Sequence, residues 1–329
     1  MIEYNKRNFR SWSIMGINPS IWSIGLADVM QEREDIAVLT ADLKRYSGLE
    51  RIFHKYPERC FNLGIAEQNM VGVAAGMAME GTQSFMTTYA PFMSLRCADQ
   101  VRHLMGNLNL NMKAIGSAAG FSAGLSGPSL LAVNDIALMR SIPNMTVVTP
   151  ADCTEAVKMI TALAQTKTPA YMRICGTVQI PCVYDEDYIF ELGKAVTLRK
   201  GQEIALVACG TNLVANALNA ANMVFERTGI SITVVNMHTI KPLDQECIRQ
   251  LLQTHRYIGT IEEHSVVGGL GSAVAEVLAK SGSSVRQVFF GIEDRCYQMG
   301  SRSYMLEQAG LTAEQIAERV LQKLEKKSD

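Results

Sequence analysis

Short runs rich in β-branched residues alternate with helical patterns along the whole chain, and this alternation constrains the fold more than any other feature. Residues 36–40, 84–88, 113–116, 146–148 and 170–174 have the composition of strands, and residues 20–31, 66–80, 93–105 and 153–165 carry helical spacing between them. Strands separated by helices predict parallel sheets covered on both faces. The segment Ile180-Pro181-Cys182-Val183-Tyr184-Asp185-Glu186-Asp187 breaks the alternation with a proline and a run of acids, as a linker does. A second alternating set follows, with strands at 204–209, 232–237, 257–262 and 286–290 and helices at 211–227, 244–253, 272–281 and 312–326. The expected fold is α/β with two doubly wound domains. Its parts are an N-terminal extension over 1–19, a first domain over 20–179, a linker over 180–191 and a smaller second domain over 192–329. A chain of 329 residues is long enough for two full cores.

Composition narrows the function classes. Apolar residues make up 48% and charged residues 19%, which fits a globular protein and excludes a disordered one. A net charge of -1 gives no electrostatic case for nucleic acid or an anionic membrane. No apolar run reaches the length of a bilayer span, and the first residues lack the apolar core of a secretory signal. The 8 cysteines are scattered with no CxxC pair, so they predict small buried hydrophobes in a reducing cytoplasm and no metal site.

One carboxylate stands out. Glu67 opens a helix whose other residues are mostly small or apolar, from Met70 and Val71 through Gly72, Ala74, Ala75 and Gly76 to Ala78. Burying a carboxylate is costly, and burial favours its protonated form. A carboxyl group in that position suits a cofactor with a weakly basic ring nitrogen; the alternative is an acid stabilised by the helix dipole. Tyr89 and Phe92 follow an expected strand, where they either clamp a flat heterocycle or fill the core. Asp42 lies just past another strand, where α/β proteins gather ligands, or it caps a turn. Arg173 ends a strand and either grips an anion or forms a structural salt bridge. His103 follows Arg102 on an expected helix, as a site residue or a plain surface histidine. The glycines of Val267-Gly268-Gly269-Leu270-Gly271 lack the spacing of a dinucleotide turn and suit tight strand–helix packing.

The segment Arg59-Cys60-Phe61-Asn62-Leu63-Gly64-Ile65-Ala66-Glu67-Gln68 resembles the glutamate motif of the transketolases. The resemblance continues, in order, through Thr40-Ala41-Asp42-Leu43, the Gly-rich stretch from Gly116 to Pro128, and the block from Asp135 to Asn144. Thr149-Pro150-Ala151-Asp152, Ile261-Glu262-Glu263-His264 and Val267–Gly271 complete it. It spans nearly the whole chain but only the C-terminal section of a full-length transketolase. It implies a pyrimidine-binding domain followed by a transketolase C-terminal-like domain. It also implies thiamine diphosphate as cofactor, with Glu67 relaying protons to the pyrimidine. Tyr89 and Phe92 would form the pyrimidine pocket, Asp42 an acid nearby, and Arg173 the grip on a substrate's terminal phosphate.

Three departures from the family pattern fall on the sugar side of the site. Ala118 stands where the family has a histidine, and Ser126 and Leu130 stand where it has an aspartate and a second histidine. An apolar wall in their place leaves sugar hydroxyls unpaired, at about 1–3 kcal/mol for each group. Ser117, Ser122, Ser126 and Ser129 are the candidate replacement contacts. The family's Gly-Asp-Gly motif with its later asparagine, which holds magnesium and the diphosphate, does not occur here. The resemblance therefore implies a split enzyme, α2β2, whose N-terminal-section subunit supplies the Mg2+ ligands. The expected activity is transfer of a two-carbon ketol unit between a ketose and an aldose, with a non-standard sugar phosphate or sulfonate. The alternatives are the β subunit of a 2-oxo acid dehydrogenase E1 and a non-catalytic regulatory paralogue.

Overall fold

The structure is a computed structural model that describes residues 2–17, 21–176 and 178–325. In chain order its elements are α1 (Lys6–Met15), α2 (Trp22–Glu32), β1 (Ile36–Thr40), α3 (Glu50–Lys55), β2 (Cys60–Asn62), α4 (Glu67–Met79), β3 (Gln83–Tyr89), α5 (Ala98–Gln100), β4 (Met112–Ala119), α6 (Asp135–Ser141), β5 (Thr146–Val148), α7 (Cys153–Gln165) and β6 (Ala170–Cys175). The C-terminal half adds β7 (Val196–Arg199), β8 (Glu203–Ala208), α8 (Leu213–Thr228), β9 (Thr233–Asn236), β10 (Thr239–Lys241), α9 (Gln245–Thr254), β11 (His255–Ser265), α10 (Leu270–Ser281), β12 (Arg286–Ile292), α11 (Arg302–Gln308) and α12 (Ala313–Glu325).

Two sheets carry the α/β architecture. The first runs β10-β5-β6-β4-β3-β1-β2 and is parallel throughout except for β10. The second runs β12-β11-β8-β9-β7, parallel except at the β7–β9 edge. Every side chain of β1, β4 and β6 is buried, because both faces of a parallel sheet are covered. One face packs on α2 and α7 through Trp22, Leu26, Val157 and Ile160, and the other packs on α4 through Met70, Val71 and Ala74. α7 starts at Asp152, whose carboxylate accepts from Glu155 N at 2.8 Å as an N-cap.

The segment expected to be a linker is held down by hydrogen bonds. The other oxygen of Asp152 accepts from the backbone of Val183 and Tyr184, and Glu155 accepts from the hydroxyls of Tyr184 and Tyr188 and from Asn236 Nδ2. Burial, the largest effect on Asp152, pushes its carboxyl up to about 6.

Several elements depart from expectation. The N-terminal extension contains α1, which buries Phe9 and Trp12 against the first core. The helix expected over 93–105 is broken into wide π-type turns at Phe92–Arg96 and Val101–Asn107 around the single turn α5. Such turns recur at functional sites. Strand β10 comes from the C-terminal half yet closes the edge of the first sheet. The expected helix limits Ser20 and Lys326 lie outside the described residues. No helix of the described residues is long and apolar enough to cross a membrane.

Candidate functional site

Ligands of open parallel sheets bind beyond the carboxyl ends of the strands. At that end of β1, Asp42 turns the chain at φ +59°, its N–H donating to Asn62 Oδ1 at 2.9 Å. The same oxygen accepts from Gly64 N at 3.2 Å, so Asn62 sets the bend that leads into α4. Glu67 is the first residue of that helix and only 4% exposed. Its Oε1 accepts from Arg96 Nη1 at 2.9 Å. Burial first, and then the Glu67 charge, push the Cys97 thiol up to about 12, so the carboxylate lies against that wall of the site.

The aromatic side comes from the end of β3 and the turn after it. The rings of Tyr46 and Tyr89 meet edge to face at 5.1 Å, and Tyr89 and Phe92 at 5.9 Å. The Arg96 guanidinium lies 3.8 Å from the centre of the Phe92 ring, so one cation joins the carboxylate to the aromatic cluster. Burial raises the Tyr89 phenol above its ordinary range, which keeps it neutral.

Near the end of β4, Ala118 is buried at φ +52°, in the left-handed region that alanine seldom adopts. The chain then bends at Gly120, where an added Cβ would sit 2.4 Å from Glu263 Oε1, and Phe121 N donates to that oxygen at 2.7 Å. Glu263 is paired with Arg302, so the loop from 120 to 131 is anchored on the second sheet. Leu125 at 84% exposure and Ser126 stand at the loop's outer rim.

The structure brings Glu67, Tyr89 and Phe92 into one cluster and places Asp42 beside it through Asn62. His103 is exposed on the Val101–Asn107 turn, and its ring makes no hydrogen bond among the described residues. Arg173, expected to grip a terminal phosphate, has its donors engaged by the protein itself. It is 2% exposed, and its Nε donates to both oxygens of Asp135 at 2.8 and 3.0 Å. Its Nη2 donates to the carbonyls of Ala132 and Glu263, and its Nη1 to Cys175 Sγ. Two residues of the cluster were missed from sequence, Arg96 and Asn62. The Phe92-to-Arg96 spacing of four was the available signal, since such pairs meet on one side of a helical turn.

In the second sheet, Glu262 accepts from Leu270 N and Gly271 N at 2.7 Å each, so the glycine turn wraps a carboxylate of its own chain. An added Cβ at Gly269 would lie 1.9 Å from Glu262 Oε2. His264 is buried and neutral, its Nδ1–H donating to Ser265 O and its Nε2 accepting from Ala137 N, and burial pushes it down to about 4. A cavity of about 490 Å3 lies at the opposite, amino-terminal edge of the first sheet, lined by Arg33, Asp35, Asn111 and Lys167, away from the Glu67 cluster.

The pyrimidine-binding domain of transketolases matches residues 22–177, and the transketolase C-terminal domain matches residues 193–316. A putative transketolase C-terminal section from Methanocaldococcus jannaschii is 36% identical over 92% of this chain and 94% of its own length. The chain belongs to the transketolase family. A second transketolase relative, a 6-deoxy-6-sulfo-D-fructose transketolase subunit from a Clostridium species, is also 36% identical, over 92% of this chain and 93% of the relative. Among solved structures, a split-gene transketolase described as an inactive beta4 tetramer superposes with a TM-score of 0.85 at 37% identity, covering 93% of this chain and 98% of that one.

The cluster fits the pyrimidine end of the thiamine diphosphate implied by the family: a buried carboxyl group and an aromatic face, linked here through the half-exposed Arg96 side chain. Among the described residues, no three His, Cys, Asp or Glu side chains come together as metal ligands.

Proposed function

We propose that the chain is the pyrimidine-binding subunit of a two-chain, thiamine diphosphate-dependent transketolase that moves a two-carbon ketol unit from a ketose to an aldose. In this reading the two units run over 20–179 and 192–329, and a partner chain supplies the diphosphate and Mg2+ ligands, in an α2β2 assembly. The observation that carries the reading is Glu67, a carboxylate buried at the head of α4 and adjoining the Phe92–Tyr89 aromatic pair, in a chain alike over nine-tenths of its length to split transketolase subunits.

When bound, the cofactor supplies a nucleophilic carbon for making and breaking carbon–carbon bonds. The work of this chain is proton handling, orientation and exclusion of water. The Glu67 carboxyl holds and returns a proton at the ring nitrogen facing it, a role that needs a carboxyl group shielded from water. Phe92 and Tyr89 offer flat apolar surface on which a heterocycle lies in offset contact. Asp42 and Asn62 hold the bend that aims Glu67. The loop from 120 to 131 takes the sugar side, with Ser126 and the apolar Ala118 and Leu130, and His103 at the outer edge.

A pocket wall of that kind disfavours polyhydroxylated sugar phosphates, because their hydroxyls would meet apolar groups. The relative named for 6-deoxy-6-sulfo-D-fructose supports a donor with a sulfonate or deoxy position. The solved relative described as an inactive beta4 tetramer supports dependence on a second subunit. α4 presents Gly72 and Gly76 on an open face, where a second subunit can approach closely.

The test is turnover by the complex of this chain with an N-terminal-section subunit, using ordinary, deoxy and sulfonated ketose donors. Glu67→Gln keeps size and cannot release a proton. It is expected to lower kcat by about a hundredfold or more, with folding intact. Turnover of the variant within threefold of wild type would end the proposal, and xylulose 5-phosphate as the preferred donor would end its substrate part.

A further inference from the structure

The Arg96 contacts set the Glu67 cluster apart from an open cofactor site. A guanidinium is a flat cation that donates N–H groups in its own plane, and it stacks on aromatic faces. Arg96 does both here: Nη1 donates to Glu67 Oε1 at 2.9 Å, and the group lies 3.8 Å from the Phe92 ring centre. A protonated aminopyrimidine offers the same two features, a flat aromatic-stacking body and a ring N–H for a carboxylate. Two flat groups cannot occupy one face of Phe92 and one oxygen of Glu67 together.

We propose that Arg96 is a placeholder: it occupies the pyrimidine seat on Glu67 and Phe92 while the site is empty, and it swings out when the cofactor enters. This rests on the reading of Glu67 and Phe92 given above and adds how their site is kept ready. The benefit is electrostatic. A carboxylate as buried as Glu67 is costly without a counter-charge, and Arg96 provides one until the ring nitrogen does.

The local structure permits the movement. The backbone of the turn is pinned, with Arg96 O accepting from Gln68 Nε2 at 2.9 Å and Cys97 N donating to Phe92 O at 3.1 Å. The Arg96 side chain is 45% exposed, so a change of rotamer takes it into water without unfolding anything. Its hold is an ion pair open to solvent on one side and a stacking contact, both of modest strength. A weak latch of this sort can be displaced by a ligand that binds well.

The experiment uses the assembled complex with its Mg2+-bearing subunit. Thiamine diphosphate affinity is measured by calorimetry for wild type, Arg96→Ala and Arg96→Lys, and thermal unfolding is followed with and without saturating cofactor. A placeholder stabilises only the empty state, so its removal must appear as tighter binding. Arg96→Ala is expected to bind the cofactor about three- to tenfold more tightly, a range set by the strength of the ion pair to Glu67 and the stacking on Phe92 that it removes. The empty complex should melt lower than wild type, while the loaded one should match it. Arg96→Lys keeps the charge without the flat fork and should fall between the two in affinity. Weaker or unchanged affinity in Arg96→Ala would overturn the proposal, because it would place Arg96 beside the cofactor or away from it. Failure of the underlying reading has a separate signature: Glu67→Gln and Phe92→Ala would then both bind the cofactor as wild type does.

Discussion

Replacing Arg173 with alanine separates a structural arginine from a substrate anchor. The guanidinium is 2% exposed and meets both oxygens of Asp135 at 2.8 and 3.0 Å, while Tyr171 donates its hydroxyl to the same carboxylate at 2.7 Å. Two backbone carbonyls, of Ala132 and Glu263, take the Nη2 protons at 3.0 and 2.8 Å, and the second of these reaches across to β11. Removing one partner of such a pair leaves the other charge buried and uncompensated, at about 3–5 kcal/mol. At roughly 2–4 °C for each kcal/mol in a domain of this size, the melting temperature should fall by about 6–20 °C. Asp135→Asn should lose a comparable amount. A double variant, Arg173→Met with Asp135→Leu, should recover about 2 kcal/mol or more of the summed losses, because no charge is then stranded. Thermal unfolding of the four proteins checks this, together with the KM for an anionic donor measured below the melting range. The reasoning is refuted if Arg173→Ala melts within a few degrees of wild type and instead raises that KM.

Two further outcomes are open to measurement. Burial raises the Glu262 carboxyl from its ordinary 4.5 to about 7, so the folded chain binds more protons at that site than the unfolded chain between these values. Its contribution to stability must therefore fall as pH rises through that window, and the stability of Glu262→Gln relative to wild type should climb from pH 4.5 to 7 in denaturation series. His264, lowered from 6.5 to about 4, works in the opposite sense between those values and lies 3.7 Å from Glu262, so the comparison reads the two groups as a coupled pair. Among the glycines, Gly269→Ala would set a Cβ 1.9 Å from Glu262 Oε2 and should cost about 1–3 kcal/mol in denaturant. Gly76→Ala meets nothing within 4 Å and should stabilise the isolated chain by about 0.4–1 kcal/mol, yet weaken partner binding in a titration if the open face of α4 is an interface.

Much of the fold was legible because its signals are local. The strands at 36–40 and 146–148 and the helix at 153–165 fall on β1, β5 and α7, since an apolar run between turn residues and an Asp cap need no distant partner. β10 was not legible: its three residues make a strand only because β5 offers a free edge. The turns around Phe92 and Arg96 carry ordinary helical spacing, and only the packing of the site shows them to be wide. Within the cluster, Glu67 stood out as a lone acid among small residues. Arg96 looked like any surface cation, because its meaning depends on a ring one turn away and a carboxylate twenty-nine positions back. Arg173 matches a family position, and its partner in the structure, Asp135, lies thirty-eight residues upstream on α6, a pairing that no local pattern shows.

The edge strand β10 also bears on how such a chain can be divided. A cut in the linker would look natural, since each half has a sheet of its own. It would strip β5 of its antiparallel neighbour, leaving an unpaired edge ready to join any other strand it met. It would also remove Lys241, whose ammonium group bridges the carbonyls of Arg140 and Ile142 at the end of α6. Exchange of C-terminal halves between relatives must therefore carry the 239–241 segment in register with its acceptor. The two halves are structurally interdependent, even though each has a sheet of its own.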